Sequence, residues 1–297
     1  MTMNLSLDTQ TFGFEREWII KALKYLPENS TLFSKKARKE TQMLLGIGPN
    51  KITALFNWLR GMELMEGRSD NTKLSNLGEL VKKYDPYLNE YGIWGAIIYH
   101  LSTFPPHSPA GFYWYFNEFI RYEFNKEDMK SELFSSPLFL HLSSTSKEKG
   151  LTGLFAALRN PIISEDLCLF EQVENNLYRK GHPPKEYLHP IIFAYTTVDW
   201  ARRNERNVIP IAQIVSGKGL PGKIFNLSER LINEYLSEID IRYQKRILDV
   251  DRTAGLDRVI LRVKQPLKLL EIYYLEELNK LQPFKALCKV GITDERE

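Results

Sequence analysis

The sequence predicts a mainly α protein with small β elements: an N-terminal winged helix-turn-helix, then a larger, mostly helical C-terminal region that carries a basic β-hairpin. Three observations predict it. Between residues 34 and 60 two amphipathic runs are separated by Gly46-Ile47-Gly48-Pro49, which breaks the chain where a helix-turn-helix needs its turn. Residues 64–66 and 73–74 flank Gly67-Arg68-Ser69-Asp70-Asn71, turn chemistry that closes a short hairpin. From residue 151 onward the apolar spacing is again helical, except in a basic stretch over 242–264.

Residues 15–26 read as the first helix, with Phe14, Trp18, Ala22 and Tyr25 on one face. Ser34 is a natural N-cap for the second, whose apolar stripe is Ala37, Thr41, Leu44 and Leu45. Pro49 suits the first turn of the third, where Ile52, Leu55, Phe56 and Leu59 repeat at i, i+3, i+4, i+7 and face a core. Asn50, Thr53, Asn57 and Arg60 fall on a different, polar face. Side chains of these types reach base edges and phosphates. The hairpin tip offers Arg68, Asn71 and Lys73, and a helix over 76–84 closes the unit before Asp85-Pro86-Tyr87.

A helical stretch over 92–103, a loop at 105–109 and an aromatic-dense segment at 112–119 follow, with Phe112, Phe116 and Phe119 on one helical face. Residues 135–150 are rich in Ser, Thr and Lys and read as a flexible connector. Residues 190–204 form a strong helix with Phe193, Val198 and Trp200. Asn226 with Glu229 resembles a capping pair opening a helix through Ile239. Strands over 242–250 and 258–263 are joined by 251–257, and Pro266 starts a final helix with Leu267, Leu270, Tyr274, Leu278 and Leu281 on one side. The expected domains are 10–90, a winged-helix DNA-binding unit; 91–150, an aromatic-rich helical region and connector; 151–285, helical with the basic hairpin; and 286–297, a tail.

Charge is distributed unevenly. The net charge of +3 is mild, but between residues 34 and 60 Lys35, Lys36, Arg38, Lys39, Lys51 and Arg60 face one acid, Glu40. Such local charge attracts phosphate backbones; the bland alternative is a solvated helix face. Cys168 and Cys288 lie far apart and fit neither a zinc spacing nor a disulfide framework. The N-terminus lacks a signal-peptide pattern and no apolar run is long enough to span a bilayer. A cytoplasmic protein with no membrane role is expected.

Gly217 to Lys223, GKGLPGK, nearly matches a phosphate-binding loop. Ile224 stands where the pattern needs Ser or Thr, and Pro221 removes an amide donor, so a basic turn ahead of a helix is the competing reading; Lys218 and Lys223 would then meet DNA phosphate. The stretch 242–264 holds Arg242, Lys245, Arg246, Arg252, Arg258, Arg262 and Lys264 with Asp249, Asp251 and Asp257. The three carboxylates are candidates to hold Mg2+ or another divalent metal against a phosphodiester, and so to be catalytic. The alternative is a structural salt-bridge set around a tight turn. No His pair has metal spacing, and the aromatic run is a candidate base-stacking surface or, at helical spacing, core.

Six motifs occur in order: Gln10-Thr11-Phe12-Gly13-Phe14, Leu45-Gly46-Ile47-Gly48-Pro49-Asn50-Lys51, Trp114-Tyr115-Phe116-Asn117-Glu118-Phe119, Pro221-Gly222-Lys223-Ile224-Phe225, Asp251-Arg252-Thr253-Ala254-Gly255-Leu256 and Leu269-Leu270-Glu271-Ile272-Tyr273-Tyr274. Together they resemble the SspB-type family of bacterial single-strand DNA phosphorothioation systems, once catalogued as a domain of unknown function. The resemblance implies a component acting on double-stranded DNA beside a cysteine desulfurase, an ATPase and a sulfurtransferase, nicking one strand for sulfur insertion. It supplies no settled catalytic set, and Gln10 departs from the acidic residue usual there. The alternative is a non-catalytic DNA-binding adaptor or regulator. The last helix is also a candidate homodimer surface, though its stripe fits packing within the chain equally well.

Overall fold

The computed structural model describes residues 5–103 and 109–292. The chain is mostly helical, with antiparallel sheets of two, three and three strands. It forms two compact units, one built from the residues up to 90 together with 100–181, the other from 91–99 and the residues from 182 onward.

In the first unit, α1 (Arg16–Tyr25) buries Ile19, Ala22 and Leu23, so its inner stripe is rotated away from the expected Trp18 and Tyr25. Helix α2 (Arg38–Leu45) starts later than Ser34 suggests: the Ser34 Oγ accepts from the Ala37 N–H at 3.1 Å and closes a turn ahead of the helix. Gly46 ends α2 at φ 68°, the left-handed conformation that glycine tolerates. The Lys21 Nζ donates to the Leu45 carbonyl at 3.0 Å, placing a cation at the negative end of the helix. Helix α3 (Pro49–Gly61) buries Ile52, Ala54, Leu55, Trp58 and Leu59.

Strands β1 (Met65–Arg68) and β2 (Asn71–Leu74) pair with Arg68 opposite Asn71, so Gly67, Arg68 and Asn71 belong to the strands and Ser69-Asp70 alone make the turn. The Thr72 N–H and Oγ1 both donate to the Ser30 carbonyl, at 2.7 and 2.9 Å, which ties the hairpin to the segment after α1. Helix α4 (Asn76–Tyr84) starts where expected, with the Ser75 Oγ accepting from the Gly78 N–H.

Helix α5 (Tyr91–Ser102) belongs to the second unit through Tyr99 and to the first from His100. The loop expected at 105–109 lies outside the described residues apart from Pro109. Helix α6 (Gly111–Tyr113) runs into a π turn, Trp114–Glu118, and the aromatic segment is core: Phe112, Phe116 and Phe119 are buried. The buried Asn117 Nδ2 donates to the Ser102 and Tyr113 carbonyls. Strand β3 (Glu123–Phe124), α7 (Lys126–Ser135) and α8 (Ser144–Leu158) follow. The expected connector is therefore largely structured, and one of its serines is a cap: the Ser143 Oγ accepts from the Ser146 N–H to start α8. A π turn, Ile162–Asp166, leads to β4 (Glu171–Glu174) and β5 (Leu177–Arg179), which complete a sheet in the order β3-β5-β4.

The second unit is built around α9 (Pro190–Arg203), buried over most of its length. Strand β6 (Val208–Pro210), α10 (Ile211–Ser216), the short α11 (Pro221–Ile224) and α12 (Glu229–Arg242) follow. Ser228, not Asn226, caps α12; Asn226 instead takes φ 49° in the turn before it. Strands β7 (Leu248–Asp251) and β8 (Arg258–Leu261) form the expected hairpin, but Arg242 ends α12, and the strand begins only at Leu248. An unexpected third strand gives the order β6-β8-β7. Helix α13 (Pro266–Glu277) packs on α9 and buries Leu269, Leu270 and every residue from Ile272 to Glu276, far more than one stripe. Part of the expected tail lies in α14 (Pro283–Lys289). No helix among the described residues is long and apolar enough to cross a membrane.

Candidate nucleic-acid interface

The polar face of α3 divides once the chain is folded. Asn50 is exposed at the first turn. The Thr53 Oγ1 accepts from the Arg38 guanidinium at 3.1 Å, and the same guanidinium reaches the Pro49 carbonyl at 3.2 Å. Arg38 thus fixes α2 against the start of α3. The Lys51 ammonium lies 4.8 Å from the Trp18 ring centre and 5.6 Å from that of Phe12. Asn57 is engaged by the N-terminal strap: its Nδ2 donates to the Asp8 carbonyl at 2.9 Å. Arg60 packs over the Phe56 ring at 5.4 Å. Lys35, Lys36 and Lys39 are exposed, and none is ion-paired among the described residues. On the hairpin Arg68 is exposed and Lys73 pairs with Glu66 at 2.8 Å.

The strap was not legible in sequence as a neighbour of α3. Leu5, Leu7 and Thr9 are buried, and the Phe12 carbonyl accepts from the Trp58 Nε1 at 3.2 Å. Its seat on α8 needs glycine: a Cβ on Gly153 would stand 1.7 Å from the Thr9 Oγ1, and one on Gly150 2.4 Å from the Leu7 Cβ.

In the second unit the basic stretch is already self-compensated. Asp249 and Asp251 alternate with buried Leu248 and share one face of β7. Asp249 meets the Lys245 Nζ at 3.0 Å and the Arg262 Nη2 at 2.9 Å. Burial pushes its pKa up, but hydrogen bonds from Arg262 and Lys245 outweigh that and hold it below the usual range. Asp251 accepts from the Thr253 hydroxyl and N–H and pairs with Arg258 at 2.8 Å; these partners, Thr253 foremost, hold its carboxyl down to about 2. Asp257 is exposed, and its backbone carbonyl accepts from the Ile211 N–H. The Asp249 and Asp251 carboxylates thus answer to separate partners. Among the described residues no group of three or more His, Cys, Asp or Glu is placed to hold a metal ion.

The other cations are also occupied. Arg242 meets Glu276 at 2.5 Å, Arg246 lies over the Phe284 ring at 4.6 Å, and Arg252 donates to the Asn233 Oδ1 at 2.7 Å. The glycine-rich loop is not a phosphate cradle. Leu220, Pro221, Gly222 and Ile224 are buried, and the Lys223 and Ile224 N–H groups both donate to the Leu220 carbonyl. Gly222 is there for packing, since a Cβ would stand 2.4 Å from the Val215 carbonyl oxygen. Lys218 is exposed and Lys223 half-buried.

The model of a family described as "Protein of unknown function (DUF4007)" matches residues 8–152 and 157–274. The chain belongs to this family. Its fold is similar to two solved structures, "SspB crystal structure" at 20% identity and "Magnesium ion-bound SspB crystal structure" at 19%, each with a TM-score of 0.75 over 96% of this chain and 93% of the other. A comparison with curated proteins gives no match.

Proposed function

We propose that the chain is the DNA-binding component of a bacterial DNA phosphorothioate modification and defence system, with α1–α4 and the β1–β2 hairpin acting as a winged helix. The observation that carries this reading is the set of exposed, unpaired cations Lys35 and Lys36 in the turn before α2 and Lys39 in its first turn, with Asn50 exposed at the start of α3. Lysines of this kind bind phosphate by releasing counterions, and a helix-end Asn is suited to a base edge. The likeness to structures titled SspB supports the choice of system. Arg38, Lys51 and Thr53 build the platform, and Asn57 holds the strap to it. Arg60, Arg68 and Lys73 widen the contact within the first unit; Lys218 and Lys223 are a separate proposed phosphate contact of the second unit. The desulfurase, ATPase and sulfurtransferase that the resemblance implies are the proposed partners.

The test is fluorescence anisotropy with a labelled duplex over a range of salt. Replacing Lys35, Lys36 and Lys39 with Ala lowers affinity and reduces the slope of log K against log salt by about 2 to 3. An unchanged slope would remove α2 from the interface, and absence of duplex binding at low salt would remove the DNA reading.

The ion pairs around Asp249 and Asp251 favour the non-catalytic adaptor for this part of the chain. Strand cleavage, not binding, separates that reading from a nickase.

A further inference from the structure

A cleft of about 480 Å3 opens within the first unit, where the end of α8, the π turn Ile162–Asp166 and the start of β4 meet. Arg159, Ser164, Glu165, Phe170, Glu171 and Gln172 line it. Its size is that of a small-molecule site, and π turns recur at functional positions.

The lining groups differ in how far the fold already satisfies them. The Glu171 Oε2 is taken by the Arg179 Nε at 2.9 Å, and Gly181 closes in on the other oxygen, since a Cβ there would lie 2.5 Å from the Glu171 Oε1. Arg159 and Glu165 are different: both are exposed, and neither is in an ion pair among the described residues. A guanidinium and a carboxylate that share a cleft without pairing complement a ligand carrying an anion and a donor edge together. Phe170 forms the floor of the cleft, buried against Tyr178, and the Gln172 carboxamide, whose Nε2 donates to the Glu174 carbonyl at 3.4 Å, keeps its oxygen and a second N–H for a ligand.

The local field sorts the two ends of such a ligand. Burial first, then Glu171 and Asp166, push the Cys168 thiol up; burial and then Glu165 raise Asp166 against a lowering by Arg16. Among the lining residues Glu165 and Glu171 are carboxylates and Arg159 is the cation, which leaves Arg159 as the phosphate-binding group. Among the bases, guanine carries two adjacent donors, N1–H and N2–H2, that match both oxygens of one carboxylate, with O6 beside them for an amide donor. Uracil offers one donor flanked by acceptors.

We propose that this cleft binds a guanine nucleotide, Arg159 holding the phosphate and Glu165 the donor edge of the base, with Gln172 beside it. The nucleotide is either free or a base turned out of a DNA strand. The proposal does not rest on α2 and α3 meeting duplex DNA, so either can fail without the other.

Isothermal titration of the full chain with GMP, AMP, CMP and UMP tests it. GMP binds saturably, and Glu165→Gln reduces its advantage over the other three by about tenfold or more. Arg159→Ala weakens GMP while leaving guanosine unchanged. Both side chains are exposed, so the variants melt with the parent chain. No saturable GMP binding, equal affinity for all four nucleotides, or indifference to both substitutions overturns the proposal. Competition between GMP and a guanine-containing single-stranded oligonucleotide assigns a strand as the source; its absence, with GMP bound, assigns a free nucleotide.

Discussion

His189 couples the second unit to pH. It caps α9, its Nδ1 accepting from the Ile191 N–H at 3.1 Å, so the ring proton sits on Nε2, which is buried beyond hydrogen-bond reach of the Glu276 and Glu277 carboxylates, each 3.8 Å away. Burial, aided by Arg242, pulls the imidazole pKa down to about 3. Unfolded histidine titrates near 6.5. Between those values the unfolded chain holds a proton that the folded chain refuses, so stability falls as pH drops from about 6.5 toward 3, by up to about 1.4 kcal/mol per unit. His189→Asn keeps a capping acceptor and removes the titration. Urea unfolding at pH 7 and pH 5 is expected to show a smaller loss in the variant; equal losses would contradict the assignment. A second residue-scale prediction concerns Asn57. Because its amide holds the Asp8 carbonyl, Asn57→Ala costs about 1 kcal/mol of stability. Asn50→Ala, by contrast, lowers duplex affinity at unchanged stability. The reverse pattern in melting and anisotropy would put Asn57 on the DNA.

At the scale of elements, the strap is held by its fit to two glycines. Gly153→Ala forces the Thr9 side chain out of its seat, and overpacking of this kind costs about 1 to 3 kcal/mol. Limited proteolysis should then cut the N-terminal segment first, and a variant as resistant as the parent would deny the strap that role. Local signals made some elements readable. Ser75 before a periodic run starts α4, and Pro49 after Gly46-Ile47-Gly48 starts α3. Strands β3 and β6 escaped notice because two or three residues leave no alternation to read, and each exists only through a partner far along the chain. The Ser-rich segment near 143 reads as a linker by composition, yet one serine there is a cap. Asn57 looked solvent-facing by helix period alone. The strap that occupies it comes from 49 residues away, which no helical pattern encodes.

At the scale of the whole molecule, charge separates the two readings of function. The chain's formal net charge is +3, and Asp249 pairs with Lys245 and Arg262, Asp251 with Arg258. If these aspartates cut DNA, replacing Asp249, Asp251 and Asp257 together with Asn abolishes nicking of supercoiled plasmid with magnesium present. If they are structural, the same variant leaves any nicking in place and binds duplex more tightly, because three negative charges are gone and three cations are released toward phosphate. The ion pairs predict the second outcome, with affinity rising most at low salt. The variant also tests their structural role: the Asp251 carboxyl is held down to about 2, so the stability it contributes is present above its usual titration range and is lost as pH falls toward about 2. The parent chain should therefore lose stability more steeply than the variant between about pH 4 and pH 2. Tighter duplex binding with nicking lost would instead make the aspartates catalytic.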